Sequence, residues 1–235
     1  MTSTIPHTGA CAEVAAVPAA TVILLRAADT GLETLLLRRN AALAFHGGAW
    51  VFPGGRIDAA DCVPEAPTDT VAAARRAAVR EAYEEAGVVL RPEDLVLLSH
   101  WTTPVGRPKR FATWFFVASA GTETVRIDGG EIHDHQWMQP EQALGAQRAG
   151  DIELPPPTFV TLVQLAAYRS LQDALERIAA QPPTTFVPRP ATVPEGSCTL
   201  YAGDAGYDTS DALCPGPRHR LWMLKSGWRY EQSMP

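Results

Sequence analysis

The chain has 235 residues, 46% of them hydrophobic and 20% charged, with a formal net charge of −6. This content suffices for one well-buried domain with appendages, or at most two small domains, and it excludes a disordered polyelectrolyte. A mildly acidic chain is also a poor candidate for a nucleic-acid-binding protein, which normally carries a basic patch. A nucleotide substrate stays compatible with this charge, since metal ions can supply positive charge locally.

Cysteine spacing and hydropathy bear on the compartment. Cys11, Cys62, Cys198 and Cys214 form no CxxC pair, and their spacing fits neither a zinc site nor a disulfide framework. We therefore expect free thiols in a cytoplasmic protein. No apolar run reaches the roughly 18 residues that span a bilayer, and the N-terminal residues lack the positive segment of a signal peptide, so no membrane association is expected.

The first fifth of the chain predicts a leader followed by strands. Residues 1–18 are expected to be a disordered leader. β-rich runs at 21–27 and 33–39, separated by a glycine-containing turn, predict a strand pair. A short apolar segment at 50–52 must end at Pro53-Gly54-Gly55.

An alanine-rich helix is predicted over 71–86. Thr68 or Thr70 is the expected N-cap, with Asp69 favouring the positive end of the helix dipole. Gly87 is a suitable residue to end the helix.

The remainder predicts a mixed α and β domain with an appendage. Strands are expected at 95–101, 111–118 and 132–138, and helices at 140–148 and 157–180. Residues 182–235 are rich in Pro and Gly and predict a C-terminal extension that ends in a hairpin over 220–231. The domain itself would cover 19–181.

The segment that carries chemistry is Arg80-Glu81-Ala82-Tyr83-Glu84-Glu85-Ala86-Gly87-Val88. On a helix the three glutamates fall at i, i+3 and i+4 and share one stripe, where Arg80 can pair with Glu84. A solvated acidic face is one interpretation, and a site for a hard cation such as Mg²⁺ is the other. The preceding Phe52-Pro53-Gly54-Gly55 favours the cation site, because glycines let backbone approach a ligand closely.

FPGG followed by REAYEEAGV resembles the Nudix box, G-x5-E-x7-R-E-U-x-E-E-x-G-U, where U is a bulky aliphatic residue. The second half of the box matches at Arg80, Glu81, Glu84, Glu85, Gly87 and Val88. Two departures stand out. Between Gly55 and Arg80 lie 24 residues, 11 more than in the usual box, and counting back from Arg80 places Ala72 where the family has glutamate.

The resemblance implies a Nudix α/β/α sandwich with a mixed sheet, an extended box loop and a C-terminal extension. It implies that Glu81, Glu84 and Glu85, helped by the Gly54 carbonyl, hold Mg²⁺ or Mn²⁺, and that Arg80 orients one of these glutamates. The expected reaction is hydrolysis of a diphosphate bond in a nucleotide-linked small molecule. Glu131 is the candidate for the additional acidic residue, base or ligand, that many members take from a later loop.

The extended box loop, with LLLRRN before it and LPPPTFVTL after it, is similar to the Nudix branch that includes the peroxisomal coenzyme A diphosphatases. Coenzyme A or an acyl-CoA is therefore the first expected substrate. ADP-ribose, NADH or a nucleoside triphosphate is the alternative, and a non-catalytic regulatory module that binds nucleotides is the alternative of another class. Many members dimerise, so a homodimer is left open.

Two details of the strand before the box remain open. The coenzyme A signature of one Nudix group is matched by Leu36, Leu37, Ala41 and Gly48, but Asn40 and Ala44 stand where it has arginines. Arg38 and Arg39, at the end of the second predicted strand, could meet phosphates, although a solvated strand end is the commoner outcome.

Overall fold

A computed structural model describes residues 14–29, 31–43, 46–62, 69–121 and 124–233. The strands are β1 (Val17–Ala28), β2 (Gly31–Arg39), β3 (Trp50–Val51), β4 (Gly54–Arg56), β5 (Val96–Thr102), β6 (Phe111–Ser119), β7 (Ile132–Met138), β8 (Thr184–Phe186), β9 (Arg189–Val193), β10 (Gly196–Leu200), β11 (His219–Leu224) and β12 (Gly227–Gln232). The helices are α1 (Thr70–Ala86), α2 (Pro140–Ala149), α3 (Pro156–Leu165) and α4 (Leu171–Ala179).

The main sheet is mixed and has β1 at its centre. The strand order is β3-β2-β1-β6-β5-β8, with β4 also paired to β1 and β7 also paired to β2. β1 runs parallel to β6, and β5 runs parallel to β8, while the other pairs are antiparallel. The four residues from Val22 to Leu25 are all fully buried, as expected for a strand covered on both faces.

Helices cover both faces of this sheet. Val22 and Leu24 point to the face packed by α1, whose contact surface is almost entirely alanine, and this lets the helix approach closely. Ile23 and Leu25 point to the opposite face, which α2, α3 and α4 cover. The α/β/α sandwich with a mixed sheet is therefore confirmed.

The ends of α1 have clear local causes. Asp69 is the N-cap and accepts a hydrogen bond from the N–H of Ala72 at 2.9 Å. Thr70 is instead the first helical residue, so its predicted capping role is wrong, and Thr68 lies outside the described residues. Gly87 ends the helix in the left-handed conformation, with φ of 68°, as predicted.

The single helix predicted over 157–180 is wrong, because two helices occupy this segment. α3 ends at Leu165, and the Ser170 side chain starts α4 by accepting a hydrogen bond from the N–H of Asp173 at 3.1 Å. The apolar pattern did not reveal the break, since Leu162 and Leu165 of α3 face the same core as the apolar side of α4.

The C-terminal residues form a second sheet. β9 to β12 are antiparallel in the order β12-β11-β10-β9, and β11–β12 is the predicted terminal hairpin. β8 belongs to the main sheet, where Phe186 stacks on Trp101 with ring centroids 3.8 Å apart. Tyr201 and Leu221 of the extension join the same core cluster.

Three smaller expectations concern termini, membranes and thiols. β1 includes Val17 and Pro18, the last two residues of the predicted leader, whereas residues 1–13 lie outside the described ranges. Among the described helices, none is both long and apolar enough to cross a membrane. Cys62, Cys198 and Cys214 are free thiols, and Cys11 lies outside the described residues.

Candidate active site

The acidic stripe of α1 faces the glycine turn that begins β4. Glu85 is 6% exposed, and its Oε2 accepts a hydrogen bond from the N–H of Gly54 at 2.9 Å. A side chain at Gly55 would collide with the carboxylate of Glu81. At Gly54 a side chain would collide with the backbone of β1 at Ala20 and Thr21, so the two glycines let β4 run between β1 and the helix carboxylates. The contact that Gly54 makes is through its N–H, so the carbonyl role expected from the sequence stays a prediction.

Arg80 connects α1 to the segment after β4. Its Nη1 donates to Glu81 Oε1 at 2.7 Å and to Glu84 Oε2 at 2.9 Å. Its Nη2 donates to Asp61 Oδ2 and to the carbonyl oxygen of Arg56, both at 2.9 Å. The hydrogen bond to Asp61 is the main reason that the pKa of Arg80 lies above its ordinary value. One guanidinium therefore contacts two of the predicted glutamates, and its orienting role stays a prediction.

Asp61 is a functional candidate that counting back from Arg80 missed. It is 5% exposed, and it lies six residues after Gly55, the place of the first glutamate when the box is counted forward. Burial acts to raise its pKa, but hydrogen bonds from Arg80 and from the N–H of Asp58 bring the pKa below the ordinary value. The extra residues of the box loop therefore lie between Asp61 and Arg80. Ala72 has no part in this contact and occupies the first turn of α1.

Glu131 reaches the same place from the start of β7. Arg39 lies at the end of β2. Its Nη2 is 3.3 Å from Glu131 Oε2, and its Nη1 is 4.0 Å from Glu85 Oε1. The side chain of Glu131 is 63% exposed, whereas that of Arg39 is 18% exposed. The structure thus brings Glu131 to the acidic stripe, and it places Arg39 between carboxylates and not in solvent. Arg38 is exposed on the opposite side of the strand.

Charge at this site is unbalanced. Burial raises the pKa of Glu85 to about 8, and Glu81 and Glu131 add to that rise. Burial also raises the pKa of Glu81, with contributions from Glu84 and Glu131. Carboxylates outnumber the two arginines that contact them, and a divalent cation would relieve the repulsion. An all-oxygen donor set of this kind fits Mg²⁺ or Mn²⁺.

The carboxylates of α1 already have partners within the protein. Within the part of the chain that the structure describes, no three acidic, histidine or cysteine side chains are close enough to form a ready-made metal site. Arg80 engages Glu81 and Glu84, while the N–H of Gly54 engages Glu85. Cation binding would therefore exchange some of these contacts for bonds to the ion.

The structure is an α/β/α sandwich in which a glycine turn meets a helix carrying Arg80 and three glutamates. This combination of fold and site defines the class of protein. A model of the NUDIX domain matches residues 16–156, more than half of the chain, and the chain belongs to this family. A NUDIX hydrolase structure from Alicyclobacillus acidocaldarius has a TM-score of 0.62 at 24% identity, covering 72% of this chain and 99% of its own.

Sequence relatives share part of this chain. The acyl-coenzyme A diphosphatase NUDT19 of Homo sapiens is 28% identical, with 61% of this chain and 63% of the human protein covered. The protein of the same name from Gallus gallus is 25% identical, with 74% of this chain and 72% of its own length covered. The chain spans 60% to 63% of the length of several of the curated relatives it matches.

Proposed function

We propose that this protein hydrolyses a diphosphate bond in a nucleotide-linked small molecule with the help of Mg²⁺ or Mn²⁺. The single observation that carries the proposal is the contact of Glu81 and Glu85 with the glycine turn, with Glu84 bound to Arg80 beside them and Glu131 approaching from the loop before β7. In a merely solvated acidic face, Glu81 and Glu85 would not lie against backbone glycines with side chains only 14% and 8% exposed. Glu85 in particular is 6% exposed, and a charged carboxylate buried to this extent is costly unless a cation lies beside it.

The residues divide into holding and orienting groups. The cation would be held by Glu81, Glu84 and Glu85. The support is their match to the Nudix box of a family whose hydrolases use divalent metal ions. When bound, such a cation neutralises diphosphate charge and lowers the pKa of a water that attacks phosphorus. Arg80 binds Glu81 and Glu84 through one nitrogen, Nη1, and so keeps the two carboxylates near each other. Glu131 is the exposed carboxylate that can accept the proton of the attacking water.

Coenzyme A or an acyl-CoA is the first proposed substrate. The support is the name of the NUDT19 relatives together with the extended box loop. The coenzyme A signature does not add support, because Asn40 stands where that signature has an arginine. ADP-ribose, NADH and nucleoside triphosphates remain the alternatives, and a cytoplasmic location remains part of the proposal.

A substrate panel tests this function. Purified protein would be assayed with coenzyme A, an acyl-CoA, ADP-ribose, NADH and a nucleoside triphosphate, each with Mg²⁺, with Mn²⁺ and with EDTA. We expect release of phosphate-containing products from at least one compound, only with a divalent cation. Equal turnover in EDTA would refute the metal-assisted reaction. Tight binding of a nucleotide without turnover under any condition would indicate the regulatory module instead.

A further inference from the structure

Glu131 stands apart from the other candidate residues because it is exposed and lies in a loop. The helix carboxylates are held by α1, but Glu131 belongs to the segment 128–131 that precedes β7. A carboxylate that accepts a proton must be placed within hydrogen-bond reach of it. Some part of the chain must therefore hold this segment in place.

We propose that Asn40 is a positioning residue that holds Glu131 opposite the carboxylates of α1. The proposal rests on the diphosphatase function proposed above and adds a residue to its site. Among the described residues, the hydrogen bonds of Asn40 go to the 128–131 loop and to its own segment, so it acts through the loop. It is also a residue at which this chain departs from the coenzyme A signature.

Asn40 binds the 128–131 loop through hydrogen bonds from both its backbone and its side chain. Its N–H donates to the carbonyl oxygen of Glu131 at 2.7 Å, and its Nδ2 donates to the carbonyl oxygen of Gly130 at 3.1 Å. Its Oδ1 accepts from the N–H of Ala42 at 2.9 Å, which fixes the side-chain amide in the orientation that donates to the loop. Two successive loop carbonyls are thus bound by one residue.

Asp128 holds the same loop from its other end. The Asp128 carboxylate accepts from the N–H of Glu131 at 2.9 Å and from the N–H of Ile132 at 3.0 Å. The backbone of Glu131 is therefore fixed at its N–H by Asp128 and at its C=O by Asn40.

The geometry of β2 explains why the residue after Arg39 can do this. The β2–β7 register shifts between Arg38 and Arg39, and such an irregularity turns the strand end and re-aims its side chains. Arg39 then points to Glu85 and to the Glu131 carboxylate, while Asn40 points to the loop backbone. The two adjacent residues hold the two parts of Glu131, carboxylate and backbone.

The test is Asn40→Ala in wild-type and Glu131→Gln backgrounds. Alanine keeps the backbone hydrogen bond but removes the side-chain amide, so we expect kcat to fall about tenfold, in the range that small misplacements cost, with KM changed less than about twofold. In the Glu131→Gln background, Asn40→Ala should lower kcat no further, because the positioned group is already disabled. An equal loss of kcat in both backgrounds, or a wild-type kcat for Asn40→Ala, would overturn the proposal.

A second measurement needs no substrate or metal. Hydrogen exchange at the N–H groups of Glu131 and Ile132 should accelerate in Asn40→Ala, and unchanged exchange would refute the positioning role alone. Ser170→Ala is the matched control, since it also removes a side-chain-to-backbone hydrogen bond, but at α4 on the other face of the sheet. It should lower stability while kcat stays unchanged. Absence of turnover in the wild-type protein would instead refute the proposed function.

Discussion

Two arginine–carboxylate networks, one in each sheet region, show opposite designs. In the C-terminal sheet, Arg220 pairs with Asp204 through Nη2–Oδ1 at 2.6 Å and Nε–Oδ2 at 2.7 Å, and both side chains are 0% exposed. At α1, the helix of the Nudix box, the Arg80 side chain is 27% exposed and is shared among Asp61, Glu81 and Glu84. The first network is a closed pair, and the second is an open cluster.

The difference lies in how completely each charge is satisfied. Asp204 also accepts from the N–H groups of Gly206 and His219, each at 2.8 Å, so every charged atom of the pair has a partner and the loop after β10 is tied to β11. At the Nudix helix acids outnumber arginines, and the pKa of Glu85 rises to about 8 through its burial. A satisfied network stabilises the fold, whereas an unbalanced one is typical of a site that awaits a ligand.

Breaking the closed pair should give the largest loss of stability. Asp204→Ala leaves the guanidinium of Arg220 buried and unpaired, which costs about 3–5 kcal/mol in the free energy of unfolding. Urea denaturation would measure this. Asp208→Ala is the control in the same loop, because the Asp208 side chain is 94% exposed and should change stability by less than about 0.5 kcal/mol. A small effect for Asp204→Ala would mean that the pair is dispensable.

Neutralising a carboxylate of the open cluster should lower activity without lowering stability. Glu85→Gln keeps an oxygen that can accept from the N–H of Gly54 but cannot ionise to bind a cation. We expect kcat to fall about 10²–10³-fold, as for loss of a preorganised electrostatic group, while the metal-free protein unfolds at the same or a higher urea concentration. Glu93→Gln, an exposed carboxylate beside Arg91, is the control for both measurements. A wild-type rate for Glu85→Gln would reduce the helix to an acidic face.

What could be predicted from the sequence depends on whether the cause of a feature is local or long-range. The stripe of Glu81, Glu84 and Glu85 and the end of α1 at Gly87 depend on spacing within one helix, and these predictions are correct. Most strands of the main sheet also follow from local hydrophobic patterns, whereas the sandwich was expected from the resemblance to the Nudix box. The break at Ser170 was missed because apolar residues on both sides face one core.

Contacts between distant segments were beyond local patterns. Asn40 and Glu131 are joined only because β2 and β7 pair, and no periodicity reports such a contact. Asp61 differs, since a signal existed: it lies six residues after Gly55, and counting forward from the glycine finds it. Counting back from Arg80 led to Ala72, because the extra residues separate the two halves of the box.

The smallest expected effect decides between these two ways of aligning the box. Asp61→Asn removes the charge that holds Arg80 toward the segment after β4, so we expect kcat to fall about tenfold and stability to fall by about 1–2 kcal/mol. Asp58→Asn is the control, since Asp58 is 64% exposed and lies 3.7 Å from Arg80. Steady-state kinetics and urea denaturation would measure both variants.

A glutamate restored at the other position completes this comparison. Ala72→Glu in the Asp61→Asn background should not recover kcat, because Ala72 lies in the first turn of α1, about two turns before Arg80. A carboxylate there would add charge at the helix N-terminus without reaching the guanidinium. Recovery by Ala72→Glu would show that a carboxylate at the start of α1 can replace Asp61, and Asp61 would then lose its place in the site.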